Sequence, residues 1–322
     1  MSGSLRARLT GVGGYLPRTV VTNDDLAQKI DTSDEWIRAR TGITQRHIVS
    51  GDETTASMAA EAARQALEQA GVNAEEVDAI LVATSTPDQV FPAVATQVQA
   101  LLGITKGFGF DISAACSGFV YALASANSFI QSGLAKKVLV IGSEVFSRLL
   151  DWNDRTTCVL FGDGAGAVLL EAGAEDGEGV LSTHLHSDGR SGDILYVDGA
   201  VGCSGTTQHL KMMGREVFRH AVVKLSQAVD EALEANNLTG QDIQWLVPHQ
   251  ANLRIIDGMA KKLALPSDRV VVTVDRHANT SAASIPLALN EAVRDGRIQK
   301  GDLVLMEALG GGLTWGSALV RM

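Results

Sequence analysis

Only 3 cysteines, 6 prolines and 5% aromatic residues occur among the 322 residues. Cys116, Cys158 and Cys203 are odd in number and show no CxxC spacing, which excludes a disulfide framework or a zinc ribbon and suits a reducing, cytoplasmic setting. No apolar run approaches the ~18 residues of a membrane span, and the first residues lack the apolar core of a signal peptide. Positive charge is also in deficit. Lys and Arg total 27 against 37 Asp and Glu, a net charge of −10, so generic nucleic-acid binding is not expected and any anionic partner must meet a local basic patch. The deficit is shared: 13 basic and 19 acidic residues up to Ala174, 14 and 18 beyond it.

What is present is 45% apolar residue content and 33 glycines. Small interior residues with many tight turns fit helices packed closely on sheets, an α/β layout. A repeat supports it. Ser57 to Ala70 carries Met58, Ala62, Ala66 and Ala70 at helical spacing, followed by the strand-like EVDAILVAT. Val217 to Ala235, with Val222, Leu225, Val229 and Leu233 as its apolar stripe, is likewise followed by DIQWLVPHQ. Leu81 to Cys116 and Leu246 to Ser281 both span 35 residues; Cys116 to Val138 and Ser281 to Leu303 both span 22. Each copy then reads as strand, small-residue helix, strand and a closing Gly-rich strand, LFGDGAGAVLLE or GGGLTWGSALV. The pattern predicts two similar halves, 1–174 and 175–322, built on parallel sheets and joined through the polar stretch Glu171 to Gly179. Long segments, Val20 to Glu53 and His184 to Gly214, interrupt the repeat.

Cys116 falls after a predicted strand, at the first turn of a predicted helix. Free N–H groups and the helix dipole there favour a thiolate, so this cysteine is the candidate nucleophile. Cys158, in the strand-like TTCVLF, and Cys203, in a Gly-rich loop, read as small hydrophobes. His249 ends an apolar strand, where open α/β sheets place their ligand sites. Asn279 precedes the helix of the second copy, beside Ser281, the expected repeat partner of Cys116. A nucleophile, a ring N–H and an amide, with no nearby carboxylate in sequence, suggest oxyanion stabilisation rather than hydrolysis. Helix capping by Asn279 is the simpler alternative. Gly162 to Gly166 runs into a strand instead of a helix, which argues against a dinucleotide site. His184 and His186 have no acidic or cysteine neighbour in sequence to complete a metal set and read as surface or turn residues.

Six ordered motifs resemble the β-ketoacyl-acyl carrier protein synthase III enzymes of the thiolase-like superfamily: DTSDEWIRARTGI, DISAACSGF, FGDGAG, VPHQANLRII, HANTSAASIPLAL and GGGLTWGSALV. The resemblance spans nearly the whole chain. It implies a five-layered αβαβα fold, a homodimer, and an acyltransferase without a cofactor, for which acyl-coenzyme A is a substrate. An acyl group would pass to Cys116 and condense with malonyl-acyl carrier protein, releasing carbon dioxide and initiating fatty acid synthesis. His249 and Asn279 would bind the malonyl thioester carbonyl, and backbone N–H groups of Cys116 and Gly311 would form an oxyanion hole. Trp36, Arg40, Arg155 and Asn252 would bind coenzyme A; Phe91, reaching across the dimer, and Leu309 would shape the acyl pocket. Arg254, Lys261 and Lys262, with Arg215 and Arg219, would dock the acidic carrier protein. Leu309 stands where Phe is expected, and Thr156 and Ala278 where Gly is common. A condensing enzyme of secondary metabolism shares these residues and is the nearest alternative. A thiolase would need a second active-site cysteine, and a hydroxymethylglutaryl-coenzyme A synthase a glutamate beside the histidine. A non-catalytic partner subunit would lack the nucleophile.

Overall fold

The computed structural model describes residues 5–174, 177–199 and 208–322. Cys203 and two residues of the expected linker lie outside them. The first half contains β1 (Leu5–Tyr15), β2 (Thr19–Thr22), α1 (Asn23–Ala27), α2 (Asp34–Thr41), β3 (Gln45–Ile48), α3 (Thr55–Ala70), β4 (Ala79–Ala83), α4 (Val94–Leu101), β5 (Phe108–Ile112), α5 (Gly118–Gln131), β6 (Lys137–Glu144) and β7 (Gly164–Ala174). The second contains β8 (Gly179–Ser187), β9 (Leu195–Val197), β10 (Leu210–Met212), α6 (Gly214–Ala235), β11 (Trp245–Pro248), α7 (Leu253–Lys262), α8 (Val274–His277), α9 (Ser284–Arg294), β12 (Leu303–Gly310) and β13 (Thr314–Arg321). The long interruptions of the repeat thus hold elements of their own. Among the described residues, no helix is long and apolar enough to cross a membrane.

Local chemistry explains the elements. Thr54 and Ser57 form a reciprocal cap at the start of α3, and Gly71, at φ +67°, ends it in the left-handed conformation. Five consecutive buried apolar residues make β4 a fully covered central strand.

Two large sheets result, with orders β1-β7-β6-β4-β5 and β8-β13-β12-β11, beside the two-stranded pairs β2-β3 and β9-β10. The orders match, because an isolated parallel bridge from Leu246 to Val270 stands in the second sheet where β5 stands in the first. Alternate residues of each strand face opposite ways. Ile80 and Val82 join a cluster with α3 and α4, while Ala79, Leu81 and Ala83 face α5 and α9. Val304 and Met306 reach that same central cluster from the other sheet, and Leu303 and Leu305 face α6 and α7. The layers are therefore helices, sheet, helices, sheet, helices.

Three expectations need correction. The sheets are mixed, not parallel: β4 pairs in parallel with β5 and β6, but β7 runs antiparallel to both β6 and β1. The closing Gly-rich strands return without a helical crossover; β13 follows β12 through a short turn, which permits only an antiparallel partner. On α6 the buried face is Ala221, Leu225, Ala228, Val229 and Ala232, leaving Val222 exposed, because alanines allow the closer approach to the sheet. The segment around Cys158 is a set of turns, not a strand, since Asp154 captures the hydroxyls of Thr156 and Thr157 and the Cys158 N–H. Cys158 itself is fully buried, as a small hydrophobe would be.

Close approach positions the central helices. Gly142 and Gly166 are cross-strand partners on β6 and β7. A Cβ at Gly142 would lie 2.2 Å from the Ala282 carbonyl oxygen, and one at Gly166 would lie 2.5 Å from the Leu287 nitrogen. These two glycines let α9 of the second half rest on the sheet of the first.

Candidate active site

Cys116 lies in a tight 3-10 turn, Ala115–Ser117, that leads directly into α5. Its counterpart is Ser281–Ala283, leading into α9. Pairing of Ala79 with Val138 and of Trp245 with Val304 sets the repeat offset at 166 residues. Ala115 and Ser281, both at positive φ (46° and 50°), obey it. The repeat partner of Cys116 is therefore Ala282, not Ser281; equal spacings in sequence hold for any constant shift and could not reveal a slip of one.

Cys116, His249 and Asn279 open into one cavity of about 420 Å3. The thiol is 7% exposed, and burial pushes its pKa up to about 12. Desolvation here opposes the thiolate that the helix start favours.

His249 follows β11, and its N–H donates to the Glu307 carbonyl. Burial lowers its pKa to about 4, so the ring is neutral near pH 7. Nδ1 lies 2.6 Å from Ser284 Oγ, which also accepts from the Gln250 N–H at 3.3 Å. A Ser284 hydroxyl that donates to Nδ1 would leave the ring proton on Nε2. In that tautomer His249 is a hydrogen-bond donor through Nε2. Ser284, the first residue of α9, escaped sequence reasoning, which had no signal for a serine 35 positions from the ring it orients.

Asn279 is pinned through its backbone: its N–H donates to Leu160 and its carbonyl accepts from Gly162. Its Oδ1 accepts from the Ser281 N–H at 2.9 Å, a cap-like bond that leaves both amide hydrogens available as donors. The capping and functional readings therefore coexist. The residue before it, Ala278, has φ 59° and ψ −162°, a region that glycine alone occupies readily.

Gly310 gives Cys116 its neighbour: a Cβ there would stand 2.6 Å from the Cys116 nitrogen. Gly311 lines the cavity with Leu309, which is 6% exposed. Asn252 also lines it, and its Oδ1 caps α7 by accepting from the Ile255 N–H.

Outside the cavity, Arg40 lies over the Trp36 ring at 4.3 Å and Arg155 lies 5.4 Å from its centroid. Arg155 is held by Asp31 at 2.8 Å, and Thr156 turns its hydroxyl to Asp154. Arg254 donates to the Ala39 carbonyl, tying α7 to α2. Of the expected docking cations, Lys262 pairs with Asp230 and Arg219 pairs with Glu216, while Arg215 and Lys261 are exposed. Phe91 is 81% exposed. His184 and His186 are strand residues on β8, and both meet Glu231 of α6 at 3.3 and 2.6 Å; among the described residues no group of three or more His, Cys, Asp or Glu side chains could hold a metal ion.

A doubled αβαβα scaffold with a thiol at one central helix and neutral donors carried by the other half defines a condensing enzyme of the thiolase-like class. Family models agree: 3-oxoacyl-[acyl-carrier-protein] synthase III matches residues 110–189, and the C-terminal model of that family matches 233–322. The beta-ketoacyl-[acyl-carrier-protein] synthase III of Granulibacter bethesdensis is 68% identical over 320 residues, covering 98% of this chain and 99% of its own. That of Acidiphilium cryptum is 68% identical over 317 residues, with the same coverage. Among solved structures, the Aquifex aeolicus 3-oxoacyl-[acyl-carrier-protein] synthase III has 47% identity and a TM-score of 0.94, covering 98% of this chain and all of that one. The priming β-ketosynthase of the R1128 polyketide pathway also reaches 0.94 at 38% identity, over 100% of this chain and 98% of its own. The chain belongs to the 3-oxoacyl-[acyl-carrier-protein] synthase III family, and is an acyltransferase.

Proposed function

We propose that the protein moves a short acyl group from coenzyme A onto Cys116 and condenses it with malonyl-acyl carrier protein, the step that initiates fatty acid synthesis. One observation carries the site assignment: a thiol and two neutral N–H donors share one apolar cavity. Loss of carbon dioxide from the malonyl thioester leaves an enolate, whose oxygen His249 Nε2–H and the Asn279 amide would bind. Its carbon attacks the acyl thioester and expels the Cys116 sulfur. Donors set in advance at a developing oxyanion contribute about 3–4 kcal/mol each in comparable sites. The Cys116 and Gly311 N–H groups would hold the oxygen of the tetrahedral adducts.

Coenzyme A would enter past Asn252, with its base between Trp36 and Arg155. Two van der Waals layers need roughly 7 Å, so the Arg155 guanidinium must retreat from its 5.4 Å position. Arg40 would meet the phosphates. Arg215, Lys261 and Arg254 would form the carrier-protein contact, with Lys262 and Arg219 weakened by their acidic partners. Phe91, so exposed in the single chain, would be covered in a homodimer and close the partner's acyl pocket.

Secondary metabolism is the second reading, favoured by the equal structural likeness to a polyketide priming enzyme. A panel of acyl-coenzyme A primers with malonyl-acyl carrier protein as acceptor tests both. Short primers with the carrier-protein acceptor support fatty acid initiation; strong preference for malonyl-coenzyme A overturns it.

A further inference from the structure

The Ala114 carbonyl, two residues before Cys116, is the hub of a junction between the two halves that none of the steps above uses. It closes the 3-10 turn by accepting from the Ser117 N–H at 3.2 Å. Two hydroxyls reach the same oxygen, Ser117 Oγ at 2.8 Å and Thr314 Oγ1 at 3.0 Å. The hydroxyls lie 2.8 Å from each other, and Thr314 Oγ1 lies 3.3 Å from the Gly311 carbonyl. Ser117 is fully buried, and Thr314, the first residue of β13, is half-buried. Two hydroxyl oxygens 2.8 Å apart require that one donate to the other. If Ser117 donates, the Thr314 proton is left for the Ala114 or Gly311 carbonyl; if Thr314 donates, the Ser117 proton is left for Ala114. In either direction the turn that holds Cys116 is bonded to the strand that follows Gly311.

The other half shows that the turn itself needs neither hydroxyl. The repeat offset of 166 residues matches Ser117 with Ala283. It also matches Gly310 with Glu144, and the cross-strand partner of Gly310 is Thr314 while that of Glu144 is Gly164. Alanine and glycine thus stand where the serine and the threonine stand. The second turn still closes, through the Ala283 N–H to the Thr280 carbonyl at 3.0 Å, and Ser281 keeps its φ of 50° as Ala115 keeps its 46°. The hydroxyl pair belongs to one copy, the one that carries the sulfur. Packing between the turns is already tight there, since a Cβ at Gly310 would stand 2.6 Å from the Cys116 nitrogen. Contact of that kind resists approach but not sliding; directional hydrogen bonds resist both.

We propose that Ser117 and Thr314 are positioning residues for acylation: by joining the two turns they fix the spacing of the Cys116 and Gly311 N–H groups, the pair that would receive the carbonyl oxygen as it becomes an oxyanion. The inference deepens the acyl-transfer reading above and rests on it. Donors stabilise an oxyanion most when their geometry is set before the charge develops, because no reorganisation is then needed. The role asks no proton of either hydroxyl. Each acts through the peptide it holds.

Three readings test it together: rapid-quench acylation of Cys116 by acyl-coenzyme A, release of carbon dioxide from malonyl-acyl carrier protein supplied alone, and the infrared thioester carbonyl band of the acyl-enzyme. Thr314→Val removes the hydroxyl at nearly constant volume. It should slow acylation by about 10- to 100-fold, the usual loss for a residue that orients a reacting group, with carbon dioxide release and the KM for acyl-coenzyme A unchanged. The carbonyl band should move to higher wavenumber as its hydrogen bonds weaken, and Thr314→Ser should return both rate and band to near the wild type. Ser117→Ala should slow the same step, and the double variant should lose less than the product of the two single losses. If Thr314→Val does not fold, Ser117→Ala decides by the same three readings. Acylation at the wild-type rate with an unmoved band, or acylation and carbon dioxide release falling together, overturns the proposal. Absence of any acyl-enzyme in the wild type instead overturns the acyl-transfer reading on which it rests.

Discussion

The turns Ala115–Ser117 and Ser281–Ala283 share a backbone and differ in what they carry. Each begins with a residue at positive φ and feeds a central helix, yet the position of the sulfur in the first is Ala282 in the second. The second half supplies donors instead: His249 at the end of β11, Asn279 before the turn and Ser284 just after it. The two turns are equivalent frames, and in the proposed function one carries the nucleophile and the other the charge stabilisation. The two glycines under α9 make the division workable, because they bring the second helix start onto the first sheet.

The sharpest way to break this division is to remove one donor. His249→Ala and Asn279→Ala should each reduce release of carbon dioxide from malonyl-acyl carrier protein by about 100- to 1000-fold while still accepting an acyl group, read by labelled carbon dioxide and intact mass. Ser284→Ala, which frees the imidazole to turn or change tautomer, should cost about 10-fold in the same assay. The wild-type donor should be insensitive to pH around neutrality: with the His249 pKa lowered to about 4, release should decline only as pH approaches 4. The corresponding stability term has a fixed sign. Unfolded histidine binds a proton near 6.5 and the folded one does not, so this residue's contribution rises between pH 4 and 6.5. Leu309→Phe should narrow the cavity beside Gly311 and shift kcat/KM toward shorter primers in an acyl-chain panel. Smallest is Ala278→Gly: relief of a φ of 59° at ψ −162° should stabilise the fold by about 1 kcal/mol in denaturant titration.

The sequence made the three residues that share the cavity legible because each sits at a strand end or helix start, where pattern and small polar residues coincide. Cys116, His249 and Asn279 are of this kind. It was silent on interactions between distant segments: the Ser284 hydroxyl behind His249, Glu231 meeting two histidines on β8, and Glu144 inside the first sheet. Burial was equally invisible, and at Cys116 desolvation opposes the thiolate that a helix start favours. Strand direction failed for a related reason, since the returning Gly-rich strands depend on connections that local periodicity does not describe.

The measurement closest to the central claim is release of carbon dioxide from malonyl-acyl carrier protein by Cys116→Ala. If the halves divide the work, this variant forms no acyl adduct but keeps releasing carbon dioxide through the intact donors of the second half. Loss of that release, with the fold intact, would contradict the division.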